Sequence, residues 1–306
     1  MRRLIALLGL AFLLAACAPE PTPPLRLAVN PWIGYDPFVL ARDRGPLDAR
    51  LRIVEVASNS DSQRALANGM IEAAALTLDE ALRLADAGVP LEIVAVLDVS
   101  AGADAVLARP EIDRLDKLRG RRIGVEAGAV GALMLARLLA AAGIDDSEVT
   151  ILSVEAGQHV AVLTSGRVDA VVTFEPMKSQ LARRGYRVLF DSRVLPGEII
   201  DVLVVRPGVD ARPLLAAWQT GLAALEQDRL AAAQTLARGV ELSAEEYLDA
   251  LSSLRLFRVE ESAEWFDGGA AAPLARRAQP VVAELMRRGE IKQPPDWAAL
   301  LGKGRR

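Results

Sequence analysis

The chain has 306 residues, 52% of them hydrophobic and 25% charged, with 36 Lys and Arg against 40 Asp and Glu for a formal charge of −4. Such a composition belongs to a globular chain with a large core, not to a disordered or polybasic one. One cysteine and one histidine leave no material for an internal disulfide framework or a Cys/His metal module, and the scattered Lys and Arg form no basic stripe for nucleic acid.

Residues 1–16 place Arg2 and Arg3 ahead of an apolar stretch too short to span a bilayer and end in small residues, the layout of a secretory signal. Leu14-Ala15-Ala16-Cys17 resembles the bacterial lipobox, which implies cleavage before Cys17 and acylation of its sulfur and amine. Cys17 is therefore expected to carry a lipid anchor. Residues 17–24, with Pro19, Pro21, Pro23 and Pro24, are expected to form an extended spacer from the membrane surface. Removal of the leader takes Arg2 and Arg3 with it and lowers the formal charge to −6.

From Leu25 on, short apolar or β-branched runs alternate with segments of helical period, the pattern of an α/β fold. Strands are predicted at 25–29, 51–56, 72–76, 91–97, 122–125, 149–153, 169–173 and 187–190, with helices between nearly all of them. Three of these helices stop at Gly69, Gly88 and Gly143, where glycine can close a helix. Two further apolar runs, 100–108 and 199–205, can carry the chain out to a second lobe and back. Residues 25–102 with 198–306 then form lobe 1, and 103–197 form lobe 2. From Ala211 onward the pattern reads as helix after helix, and Trp218, Tyr247, Trp265 and Trp297 fall at spacings expected of core residues.

Four segments together resemble the nitrate, sulfonate, taurine and thiamine-precursor binding proteins, the solute-binding components of ABC importers. They are Asn30-Pro31-Trp32-Ile33-Gly34-Tyr35-Asp36-Pro37-Phe38 with Arg44-Gly45-Pro46-Leu47-Asp48, residues 58–69, residues 115–125, and residues 165–176 ending in Phe174-Glu175-Pro176. The resemblance spans roughly residues 25–205. It implies a periplasmic-binding-protein-like type II fold: two α/β lobes joined by two hinge strands, a ligand cleft between them, and here a helical C-terminal segment. It also implies a small-molecule solute, an ABC permease as membrane partner, and a chain working as a monomer in the periplasm or cell envelope.

Open α/β sheets bind ligands beyond the carboxyl ends of their strands, so the residues following each strand are the candidates. These are Trp32 and Tyr35, which can stack on a ligand; Ser58, Asn59 and Ser60, which can cap a helix and also present backbone N–H groups; then Thr77, Asp98, Glu126, Ala129, Glu175 and Asp201. The recurrent carboxylates disfavour an anionic ligand in a closed cleft and point to a neutral, zwitterionic or cationic solute, such as an amine or nitrogen heterocycle. The same carboxylates can instead cap helices or pair with arginines, and the sequence leaves both readings open.

Catalysis has little support. His159 has no nucleophile or second metal ligand patterned with it and is expected at a helix start or on the surface, and no HExxH, GxxxxGK or GxSxG motif occurs. No cofactor and no metal is expected. A solute-binding lipoprotein, a ligand sensor signalling to a membrane receptor, and an enzyme on the same scaffold, as in the similar thiamine-pyrimidine synthases and menaquinone-pathway dehydratases, remain the three readings. The export signal argues against the third.

Overall fold

In a computed structural model the described residues are 23–45 and 47–301. The expected leader, Cys17 and most of the spacer therefore lie outside the described residues. The first unit runs β1 (Leu25–Val29), α1 (Asp36–Arg44), β2 (Leu51–Glu55), α2 (Asn59–Ala67), β3 (Ala73–Thr77), α3 (Leu78–Asp86) and β4 (Glu92–Ser100). The second runs β5 (Asp104–Ala108), β6 (Arg122–Val125), α4 (Val130–Ala142), β7 (Thr150–Ser153), α5 (His159–Thr164), β8 (Ala170–Phe174), α6 (Met177–Arg183) and β9 (Arg187–Asp191). The chain then returns as β10 (Ile200–Val205) and continues with α7 (Arg212–Gln227), α8 (Arg229–Leu236), α9 (Ala244–Ser252), β11 (Leu254–Leu256), α10 (Val259–Ala263), α11 (Pro273–Arg277), α12 (Gln279–Arg287) and α13 (Trp297–Leu300).

Two sheets result. The first has the order β11-β4-β10-β3-β1-β2 and the second β7-β6-β8-β5-β9. Strands β1, β2 and β3 pair in parallel, while β10 lies antiparallel between β3 and β4. The second sheet repeats the scheme, with β6 parallel to β7 and β8, and β5 antiparallel to β8 and β9. β3 and β8 are buried along their whole length because helices cover both faces, which is why they read as continuous apolar runs. Among the described residues, no helix is long and apolar enough to cross a membrane.

The lobes are joined where β4 passes to β5 and where β9 passes to β10. The hydroxyls of Ser100 and Ser192 lie 2.7 Å apart at these crossings; Ser192 Oγ also accepts the Gly102 N–H and Ser100 Oγ the Asp104 N–H.

Several sequence expectations need correction. The run 100–108 is not one strand, because a turn at residues 101–103 separates β4 from β5. β4 extends to Ser100, so Asp98 sits within the strand and not after it, and Thr77 closes β3 instead of following it. The C-terminal third is not wholly helical, since Leu254–Leu256 adds β11 to the exposed edge of β4. Trp218, Tyr247 and Trp297 are buried, and Trp265 is partly buried with its ring edge-to-face on Phe257 at 5.2 Å. Trp218 packs on Phe38 of α1 at 5.0 Å, where α7 crosses α1 so closely that a Cβ on Gly221 would stand 1.7 Å from the Pro37 carbonyl oxygen.

Candidate functional site

The register of the first sheet assembles the site. Asp201 on β10 lies opposite Thr77 on one side and Asp98 on the other. Directly opposed residues share a sheet face, so three polar side chains stand in a row near the carboxyl ends of β1 and β3. The loop after β1 closes over them: Trp32 Nε1 donates to Asp98 Oδ2 at 3.2 Å, and the Tyr35 hydroxyl donates to Asp201 Oδ1 at 2.5 Å. Gly34 makes this possible, because a Cβ there would fall 2.2 Å from Trp32 Nε1 and 2.4 Å from Asp98 Oδ2. Lobe 2 supplies the opposite wall. Asp104 on β5 lies opposite Phe174 on β8, and the Phe174 ring meets Trp32 edge-on at 5.7 Å.

The cavity between these walls is lined by Asn30, Trp32, Tyr35, Asn59, Thr77 and Asp201 from lobe 1 and by Asp104, Val130 and Phe174 from lobe 2. It is small, about 210 Å³ of non-atom space with its opening to solvent included. Burial pushes the Asp98 and Asp104 carboxyls up to about 7, and raises Asp201 well above the carboxylate range with its acidic neighbours adding to the effect. Burial, with Asp201 beside it, likewise holds the Tyr35 phenol well above its ordinary value. Asn30 Oδ1, Thr77 Oγ1 and Asp104 Oδ2 are buried without a hydrogen-bond partner among the described residues.

Two glutamates tie the lobes together reciprocally. Glu126, after β6 in lobe 2, accepts the Ser60 N–H at the start of α2 in lobe 1 at 2.7 Å and the Ala156 N–H of its own lobe at 3.2 Å. Glu80, in the first turn of α3 in lobe 1, accepts the Val130 N–H that opens α4 in lobe 2 at 3.1 Å. Each carboxylate thus meets a free backbone donor at a helix start of the other lobe. Glu80 also accepts from Asn59 Nδ2 at 2.9 Å and from the Thr77 N–H at 3.1 Å, while burial and neighbouring Asp79 push its carboxyl up to about 8 against these donors.

The remaining candidates serve local structure. Ser58 caps α2 through an Asp61 N–H bond of 3.1 Å, and Ala129 is the buried residue preceding α4. Glu175 does not line the cavity. It is fully buried, accepts the Ser179 N–H and hydroxyl at 3.1 and 2.9 Å, and pairs with Lys178 at 3.1 Å, so its own helix α6 claims it. His159 does begin a helix, yet it is 1% exposed and not on the surface. Its Nδ1 lies 3.0 Å from Thr173 Oγ1 and its Nε2 3.2 Å from the Val154 carbonyl, and burial lowers its pKa to about 4.

Sequence reasoning passed over Asn30, Glu80, Asp104, Val130 and Phe174 as site residues. Asp104 was signalled by being the lone acid in the apolar run 100–108, and Glu80 by its place three residues after Thr77 at a helix start. Among the described residues, no group of three or more His, Cys, Asp or Glu side chains is arranged to hold a metal ion.

Two α/β lobes linked by two crossings, with a polar cavity walled by both, define the two-lobed solute-binding-protein fold. The chain belongs to the NMT1-like family, whose model matches residues 18–238. In structure it is similar to the alkanesulfonate-binding protein SsuA of Xanthomonas axonopodis pv. citri bound to MOPS, with a TM-score of 0.73 at 20% identity over 92% of this chain and 99% of that one. It is similar also to the periplasmic aliphatic sulphonate-binding protein SsuA of Escherichia coli, with a TM-score of 0.70 at 19% identity over 90% and 96%. The desulfurization enzyme DszB shares the fold as well, with a TM-score of 0.63 at 17% identity over 91% and 97%. No curated protein matches the chain in sequence.

Proposed function

We propose that this protein is the extracytoplasmic solute-binding component of an ABC importer, held to a membrane through a lipid on Cys17. It captures a small, nitrogen-containing organic solute between lobe 1 (25–102 with 198–306) and lobe 2 (103–197) and delivers it to the permease. The observation that carries this reading is a cavity whose walls come from both lobes and whose rim is closed by bonds running each way between them. A site of that construction binds by hinge closure. The SsuA relatives supply the importer context. Their sulfonate ligands do not transfer readily, because Asp104 and Asp201 would face the anion in a poorly hydrated cleft.

Native mass spectrometry of the protein purified from its host, followed by small-angle scattering with and without the recovered solute, tests the reading. A bound solute that reduces the radius of gyration is expected. A protein whose dimensions respond to no solute in a broad thermal-shift library would defeat it. The fold shared with DszB raises an enzyme as a second reading, and recovery of the solute chemically unaltered after incubation would dismiss it.

A further inference from the structure

We propose that the solute is a compact organic cation, bound through an ammonium or amidinium group donating N–H bonds to Asp104, Asn30 Oδ1 and Asp201, with its apolar part against the Trp32 and Phe174 rings. The inference rests on the solute-binding reading above and adds the charge of the cargo.

It follows from which hydrogen bonds around the cavity are already made. The donors on its walls are engaged: Tyr35 on Asp201, Trp32 on Asp98, Asn59 Nδ2 on Glu80, and Asn30 Nδ2 on Asn59 Oδ1 at 3.0 Å. The cavity-lining groups left without a partner are Asn30 Oδ1, Asp104 Oδ2 and Asp201 Oδ2, together with the Thr77 hydroxyl, which can act either way. Asn30, Thr77 and Asp104 are 5%, 4% and 3% exposed, and all three line the cavity. A ligand that satisfies them must bring donors, since buried polar groups are costly when unpaired.

Charge points the same way. No lysine or arginine lines the cavity. Two cations whose charge reaches Asp104 and Glu80 are already paired, Lys178 with Glu175 at 3.1 Å, and Arg83 with Asp79 and Glu290 at 2.8 Å each. With no protein cation among them these buried carboxyls are held toward the neutral form, and a cation that arrives from outside supplies the partner against which they ionise. Donor need and charge need together define an N–H-bearing cation, and the edge-to-face aromatic pair gives it an apolar and cation-tolerant wall.

Matched probes test this by calorimetry at pH 7.5: methyl, ethyl and benzyl amines, the corresponding alcohols, and the corresponding sulfonates. At least one amine is expected to bind tenfold or more tighter than its alcohol, with no heat from its sulfonate. Asp104→Asn should weaken that amine at least tenfold while changing the alcohol less than twofold. An alcohol or sulfonate binding as tightly as its amine overturns the cation assignment and leaves the solute-binding role standing. Equal loss of amine and alcohol in Asp104→Asn overturns the assignment to Asp104. Absence of binding across all three series, together with a radius of gyration unresponsive to every probe, overturns both the cation and the role.

Discussion

Replacing Asp104 by Asn should make the protein more stable at alkaline pH, and the size of the effect follows from where Asp104 sits. Its side chain is 3% exposed, and burial, reinforced by charge from Asp98 and Asp79, raises the carboxyl from 3.8 to about 7. Between these values the unfolded chain carries an ionised Asp104 and the folded chain a protonated one, so folding takes up a proton and stability falls as pH rises. The fall stops once pH exceeds the folded value. From pH 5 to pH 8 the active span is about two pH units, worth about 2.7 kcal/mol at 1.36 kcal/mol per unit. Asparagine has nearly the same shape and does not titrate. Denaturant unfolding followed by tryptophan fluorescence at both pH values gives the variant-minus-wild-type difference at each, which cancels the titration of every other group the substitution leaves unchanged. That difference should grow in favour of Asp104→Asn by about 2.7 kcal/mol. A difference that is the same at pH 5 and pH 8 would refute the reasoning, because it would mean that Asp104 changes charge at the same pH in both states.

Glu126→Ala removes the acceptor shared by the Ser60 and Ala156 N–H groups; bonds to a charged acceptor contribute about 1.5–3 kcal/mol, so solute affinity should fall roughly tenfold or more. Scattering should show a larger radius of gyration for that variant, and an unchanged radius would remove Glu126 from lobe closure. His159 is neutral in the fold with a pKa near 4 against 6.5 when unfolded, so its contribution is present above 6.5 and is lost as pH falls toward 4, by up to about 3 kcal/mol. His159→Gln should flatten that acid slope in unfolding measurements made from pH 7 to pH 4. Gly221→Ala forces a methyl onto the Pro37 carbonyl and should lower stability by roughly 3 kcal/mol, read as a fall in Tm; an unshifted Tm would show that α7 and α1 can separate freely.

Much of the scaffold was legible because its signals are local. β1 and β6 end where apolar periodicity gives way to polar residues, and α4 closes at Gly143, which takes a left-handed conformation. The rule that ligands gather beyond strand ends led to Trp32, Tyr35, Asn59, Thr77 and Asp201, all of which line the cavity. What the sequence could not reveal is which partner each carboxylate chooses. Glu175 and Glu126 both follow a strand of lobe 2, yet one folds back on Ser179, four residues further along its own chain segment, and the other reaches Ser60 across the cleft. That choice depends on side-chain direction and on how the lobes meet, neither of which is encoded in spacing. Asp98 and Asp201 are neighbours only because β10 returns antiparallel between β3 and β4, a pairing across 103 positions that no local pattern announces.

The two glutamate bonds between lobes have a bearing on selectivity. Neither Glu80 nor Glu126 lines the cavity, so what they contribute to closure is the same whatever the cavity holds. An increment common to every ligand multiplies all affinities by one factor and leaves their ratios untouched, about fivefold for each kcal/mol. Under the proposed binding role, strength of capture and choice of cargo are therefore set by different residues: mutation at Glu80 or Glu126 retunes the concentration at which the protein responds, while discrimination rests with Thr77 and Asp201 and with Asp104 facing them.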